Sequence, residues 1–420
     1  MTVVKHCISS LIAALLVCAA PHTLAKVEHR YSGFATIGLA VNDSPDLVFR
    51  NDVTQDNGAY EHNASWQNDT RLGLQWQGRW SSQWETTVQV VAKDRFDDSI
   101  ANSIEWAFVR YRPVEGLDFR LGRLGADAFM LSDFRQVGYT LPWVRPPQDM
   151  YGITSLYNFD GIDVTKRVAV GDALLNLKTF YGNSNEKYPT GFDNGQSTRF
   201  DFDLFGANAN LEWSEWKLRY TYVSVEVNSD LTKPLRNIWN QFAPVWQGAN
   251  DQATVLESRG KHFRYHQFGL IYDNNDWWFQ GEYVRINSDL LLVANGEHAY
   301  ASLGKRFGSL SIFGLTGYAN PRDAIRDIVV PPGLPEPFAT QLNYLALATE
   351  SRLNGVRIKQ HSYGLGARWD FTAKMALKLK LEKFYVDKTG PGLWFTTDGT
   401  QQLSADKNAT VLSLAWDVLF

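Results

Sequence analysis

Cysteine is nearly missing from this 420-residue chain: there are two, Cys7 and Cys18, both within the first 25 residues. Beyond that segment neither thiol chemistry nor a disulfide framework is available, so hydrogen bonds and packing must hold the fold. Long apolar runs are missing too. After Ile8 to Ala20 nothing approaches the roughly 20 consecutive apolar residues of a spanning helix, and a mean hydropathy of −0.29 agrees. A bundle of membrane helices is excluded, and any later membrane span has to be a strand. Net charge is small: 41 basic against 45 acidic residues leave −4, which supplies no field to draw the chain to nucleic acid or an anionic surface. Catalytic signatures are absent as well, with no Gly-x-Ser-x-Gly elbow, His-Glu-x-x-His or Gly-Lys-Ser/Thr loop. His262 and His266 are four apart, but on a strand that spacing separates them by about 13 Å at roughly 3.3 Å per residue. We therefore expect no catalytic residues, no metal, no cofactor and no nucleic-acid partner.

What the chain does have is aromatic side chains, 15 Trp, 18 Tyr and 24 Phe, together with 32 Gly and 44% apolar residues. Its start is ordered like a secretory signal: basic Lys5, apolar Ile8 to Ala20, helix-breaking Pro21, then compact Thr23 and Ala25. The expectation is a signal peptide over 1–25, cleaved after Ala25, and one exported domain over 26–420. An uncleaved anchor is the alternative, but the apolar part is short for about 30 Å of hydrocarbon. A lipoprotein signal wants a small residue before its cysteine, where Val17 stands.

Past residue 25 helical periodicity is scarce and period-2 alternation recurs, which is the strand signal. In Asp69 to Trp80, Leu72, Leu74, Trp76 and Trp80 point one way and Arg71, Gln75, Gln77 and Arg79 the other, because successive Cβ atoms alternate across a strand. The same division sets Tyr363, Leu365, Ala367 and Trp369 against Ser362, Gly364, Arg368 and Asp370. It also sets Leu377, Leu379 and Leu381 against Lys378, Lys380 and Glu382, and Leu412, Leu414, Trp416, Val418 and Phe420 against Ser413, Ala415 and Asp417. With turn residues as punctuation, sixteen such strands follow one another between residues 29 and 420. Their connections alternate between short (Ser81-Ser82, Pro113 to Gly116, Gly171-Asp172, Ser214-Glu215, Asn275-Asp276, Gly308, Thr372 to Lys374) and long. Short turns at one end and long loops at the other mark a closed antiparallel transmembrane barrel. A soluble propeller or sandwich also alternates, but needs neither one-sided loop lengths nor aromatic rings at the ends of its apolar faces.

Three stretches carry a family likeness: Val411 to Phe420, with its terminal Phe420; Ala107 to Pro113, Ala-Phe-Val-Arg-Tyr-Arg-Pro; and Leu117 to Gly122, Leu-Asp-Phe-Arg-Leu-Gly. With the strand pattern they make the chain resemble the Gram-negative, sixteen-stranded trimeric outer-membrane porins. That resemblance implies a homotrimer in the outer membrane, in contact with lipopolysaccharide and other membrane lipid. It also implies an assembly signal at Trp416, Val418 and Phe420 read by the barrel assembly machinery, and passive diffusion of small hydrophilic solutes and ions. In this family the third long loop folds into the lumen, and here a loop of matching position and length spans about 125–155. The family's Pro-Glu-Phe-Gly-Gly stretch is missing from it, which leaves the loop's path and the channel width open.

A sixteen-stranded barrel encloses a wide lumen, and charged residues at a constriction choose between ions. By the alternation thirteen basic residues face inward, Arg71, Lys93, Arg110, Arg112, Arg120, Arg167, Lys178, Lys217, Arg219, Arg306, Arg368, Lys378 and Lys380. Eight acidic ones oppose them, Glu85, Asp118, Asp163, Glu212, Glu282, Asp370, Glu382 and Asp417. The expected constriction combines Arg71, Lys93, Arg110, Arg112 and Arg120 on the wall with Asp127, Asp133, Arg135 and Asp149 on the third loop, giving mild anion preference or, alternatively, a substrate-selective channel with a site for anionic nutrients. The plainer reading is that these charges solvate the lumen. Two further loops, about 229–262 and 320–360, carry Trp239, Phe242, Trp246 and several prolines; they are expected to pack on themselves over the barrel mouth, with a trimer latch or a solute lid as alternatives. An outer-membrane enzyme or adhesin on a barrel platform is the reading from another class.

Overall fold

The computed structural model describes residues 27–153, 156–190 and 195–420; the expected signal segment lies outside them. Its wall is sixteen strands: β1 (Glu28–Asn42), β2 (Arg71–Arg79), β3 (Trp84–Lys93), β4 (Ile104–Val114), β5 (Leu117–Gly125), β6 (Asn158–Val170), β7 (Ala173–Pro189) and β8 (Ser197–Trp213). The second half is β9 (Trp216–Val227), β10 (His262–Asp273), β11 (Trp277–Ser288), β12 (Gly296–Phe307), β13 (Leu310–Pro321), β14 (Ile358–Thr372), β15 (Met375–Pro391) and β16 (Lys407–Leu419). Each strand pairs antiparallel with the next, and β1 pairs with β16 from Phe34 opposite Leu419 to Asn42 opposite Val411, so the sheet closes and keeps no edge.

Short turns join the strands at one end, five of them holding a residue at positive φ: Gly116, Gly171, Ser214, Asn275 and Gly308. Such turns match the twist of paired strands. At the other end run eight loops, L1 (43–70), L2 (94–103), L3 (126–157), L4 (190–196), L5 (228–261), L6 (289–295), L7 (322–357) and L8 (392–406). Rings gather near the short-turn end, where Trp84 stacks on Tyr111 at 4.5 Å and Trp216 meets Tyr272 tilted at 4.6 Å.

The alternation has an inverted meaning here. On β15 the leucines are exposed, Leu379 at 48% and Leu381 at 49%, whereas Lys378 and Lys380 between them are at 1% and 0%. Apolar side chains line the outside and polar ones the inside, the reverse of a soluble protein. Over the mouth, L5 and L7 pack on each other. L5 carries α2 (Lys233–Gln241) and α3 (Gln247–Val255), and L7 carries α4 (Phe338–Gly355). Trp239 of α2 is buried among Ala249, Leu256, Leu342 and Leu353, and its Nε1 donates to Thr349 Oγ1 at 3.1 Å. L1 and L8 pair similarly through Phe49 and Trp394, whose rings meet edge-on at 5.4 Å.

Candidate functional site

L3 decides what the lumen can do. Its residues reach inward-facing groups on walls that face each other across the barrel. The Asp127 carboxylate accepts from Lys178 on β7 at 2.9 Å, Asn208 on β8 at 3.0 Å and Arg219 on β9 at 2.6 Å. The Met130 N–H donates to Glu282 on β11 at 2.9 Å, and Trp143 Nε1 to Ser302 on β12 at 2.9 Å. Asp149, on the short helix α1 (Gln148–Tyr151), accepts from Gln360 at 2.8 Å and Ser362 at 2.5 Å on β14. Lys378 on β15 donates to the Gly138 carbonyl at 2.6 Å. Only a segment inside the barrel can touch all these strands. It also spans the lumen's depth, from Gln148 donating to the Arg50 carbonyl at the loop end to Tyr139 donating to Ala373 in a short turn.

Arg145 is the central tie. Buried at the inner wall, it donates to both oxygens of Asp69, at 2.9 and 2.5 Å, to Ser413 at 2.7 Å and toward Glu382 at 3.4 Å. Such a fork-shaped pairing is strong and directional. Burial raises the Asp69 carboxyl, but the adjoining Arg145 outweighs it and the group lies below its ordinary range. Asp127 behaves alike: burial opposes ionisation, and Arg219 with Lys178 holds its carboxyl far down. Asp149 has no cation beside it; burial pushes it up to about 6, against the hydrogen bonds of Ser362 and Gln360. Two contacts require glycine. A Cβ on Gly138 would strike the side chains of Asp417 and Thr36, and one on Gly317 would strike Asp149.

The structure divides the expected constriction residues into groups. Arg110, Arg112 and Arg120 form a row toward the short-turn end, paired with Glu85 at 2.6 Å, Asp118 at 2.7 Å and Asp163 respectively. Asp127 and Asp149 pin L3 to opposite walls, and Asp133 lies beside Gly125. Arg71, Lys93 and Arg135 converge instead with Arg145, Asp52 and Asp69 around a pocket of about 50 Å3 where L1, L3 and β2–β3 meet. There the Lys93 ammonium and the Arg135 guanidinium each lie 3.6 Å from the Tyr157 ring centre, and Arg71 is buried with Nε and Nη2 lacking hydrogen-bond partners among the described residues. Asp52 and Tyr157 escape sequence reasoning, because they sit in loops where no alternation assigns a face; Asp69 shares the inward parity of Arg71, but its role with Arg145 needed the loop contacts.

The basic excess on the wall is largely neutralised. Apart from Arg71 and Lys93, every one of the thirteen inward basic residues has a carboxylate oxygen at 3.1 Å or closer. At the seam, the Phe420 N–H donates to the Gly33 carbonyl at 3.0 Å, and Trp416 faces outward.

No family model matches the sequence, and no curated protein does. Solved structures do resemble the fold. The anion-selective porin from Comamonas acidovorans is 11% identical, with a TM-score of 0.50 over 94% of this chain and 100% of that one. The outer membrane channel DcaP of Acinetobacter baumannii is 11% identical, with a TM-score of 0.50 over 96% of this chain and 100% of that one. In-vitro folded OmpT, an outer membrane protein of Vibrio cholerae, is 9% identical, also at 0.50, over 96% of this chain and 100% of that one. The closed sixteen-stranded barrel is thus the fold of Gram-negative outer-membrane porins.

Proposed function

We propose that the protein is an outer-membrane channel that passes small hydrophilic solutes and ions passively, without covalent chemistry, through a lumen narrowed along its depth by L3, and that it prefers anions. The exposed leucine face supports a hydrocarbon surrounding, since a closed sheet leaves no unpaired backbone to the lipid. The observation that carries the selectivity is the pairing pattern: among the described residues, Arg71 and Lys93 are the inward wall cations without a carboxylate in ion-pair contact. They stand at one pocket where four cations, these two with Arg135 and Arg145, meet two carboxylates, Asp52 and Asp69. An excess of cations without carboxylates in contact at a narrow point sets ion preference, whereas charge paired in contact cancels within a few ångströms.

Reversal potential in a planar bilayer under a potassium chloride gradient tests this. The wild-type protein is expected to favour chloride, and Arg71→Gln with Lys93→Gln to move the reversal potential toward zero. Arg110→Gln, which removes a paired charge, is expected to shift selectivity less than either. Cation preference in the wild type would overturn the selectivity and leave the channel standing; folded protein without conductance would overturn the channel.

A further inference from the structure

Between L3 and the caps formed by L5 and L7 lies a cavity of about 460 Å3 at the outer ends of the strands. Its walls are largely apolar and ring-rich, including Phe129, Phe200, Phe202, Phe263, Leu235 and Ile286, with polar residues such as Thr198, His298 and Gln401 between them. An engineered apolar cavity of about 150 Å3 takes benzene, so this one has room for a substituted ring. Among the described lining residues none is Asp or Glu, and the permanently charged ones are Arg50 and Arg352.

Arg50 is the more informative of the two. It is buried, and neutral carbonyls of Leu393, Gly392, Gln55 and Val53, at 3.0 to 3.5 Å, take four of its five N–H groups. The Phe395 ring centre lies 3.8 Å from its guanidinium carbon. Asp52, the acid closest to it in sequence, is engaged by Thr54 and Tyr157. Burial lowers Arg50 to about 10, with Asp52 opposing, so it stays charged at neutral pH. A buried cation held by neutral carbonyls, with no carboxylate in ion-pair contact among the described residues and set beside a largely apolar chamber, matches a ligand that brings an anion and a greasy body together.

We propose that this cavity binds a small organic monocarboxylate with an apolar, ring-sized body, its carboxylate toward the two arginines and its body among the phenylalanines. Serving as a capture site for transport rests on the channel reading; binding itself does not. Titration calorimetry of 3-phenylpropanoate into the folded protein in lipid nanodiscs is expected to show saturable one-site binding, with 3-phenylpropan-1-ol at least tenfold weaker. Arg50→Gln is expected to weaken binding tenfold or more. Because Arg50 also ties L1 to L8, Val293→Glu provides a second arm: it adds an anion to the lining, leaves Arg50 and its carbonyls in place, and is expected to abolish binding. Equal binding of acid and alcohol, or binding untouched by Val293→Glu, overturns the proposal. Potassium chloride conductance of the same protein separates the two readings: conductance without binding overturns the cavity site alone, and binding without conductance supports it while overturning the channel.

Discussion

At the scale of single residues, the lumen is governed by how each buried charge is compensated. Asp149 is the instructive exception, held by hydroxyl and amide donors, with Glu382 as a like-charged neighbour and His298 Nδ1 2.8 Å from its backbone carbonyl. Its folded carboxyl, at about 6 against an ordinary 3.8, binds a proton more tightly than the unfolded chain does. Stability at this site is therefore full at low pH and is lost as pH rises between those two values. Asp149→Asn keeps the shape without the charge. It is expected to raise the unfolding free energy measured by urea titration in lipid vesicles at pH 7.5, by up to about 3 kcal/mol at about 1.4 kcal/mol per pKa unit, and to lose most of that advantage at pH 4.5. An equal gain at both pH values would refute the assignment.

At the scale of elements, L3 is an inner element in all but secondary structure, and Arg145 is its fastening. Removing one partner of a buried ion pair strands the others, at a cost of roughly 3–5 kcal/mol. In Arg145→Ala, Asp69 would lose the guanidinium that pairs both its oxygens, while Glu382 keeps Lys380 at 2.9 Å, and the loop should lift from the wall between L1, β15 and β16. The expected readout is a larger single-channel conductance with noisier open levels, while the barrel keeps its strand content by circular dichroism. Unchanged conductance would show that the Arg145 cluster lies off the path.

At the scale of the whole molecule, closure lets a chain of this composition be stable without a conventional core. The sheet hides its backbone, the apolar residues turn outward, and the loop supplies the packed interior through Trp143, Phe129 and Leu141. The family likeness of the sequence carries the expectation of a homotrimer, and the exposed apolar outer face leaves surface for neighbouring copies as well as for lipid. Chemical cross-linking of the protein in native outer membranes is expected to give a ladder ending at three copies. A ladder ending at one would count against the trimer and leave the single-barrel channel unaffected.

The sequence by itself determined the barrel. Sixteen alternating segments, their order, and the division into short turns and long loops could be read because a strand's period of two is a local property that survives any tertiary arrangement. The seam strand Lys407–Leu419 and the turn residues Gly171, Asn275 and Gly308 were legible on the same ground. The inward charges on the strands were legible too, since each follows from the parity of its neighbours. Tertiary structure alone decided which of those charges have a carboxylate in contact. Arg71 and Lys93 are singled out because L3 descends beside them carrying Arg135 and Arg145, and Lys178, Arg219 and Lys378 are silenced by acids or carbonyls brought from up to 240 positions away. The outer cavity and the buried Arg50 were illegible for the same reason: loops have no periodicity to assign a face, and their contacts exist only once the barrel has brought their ends together.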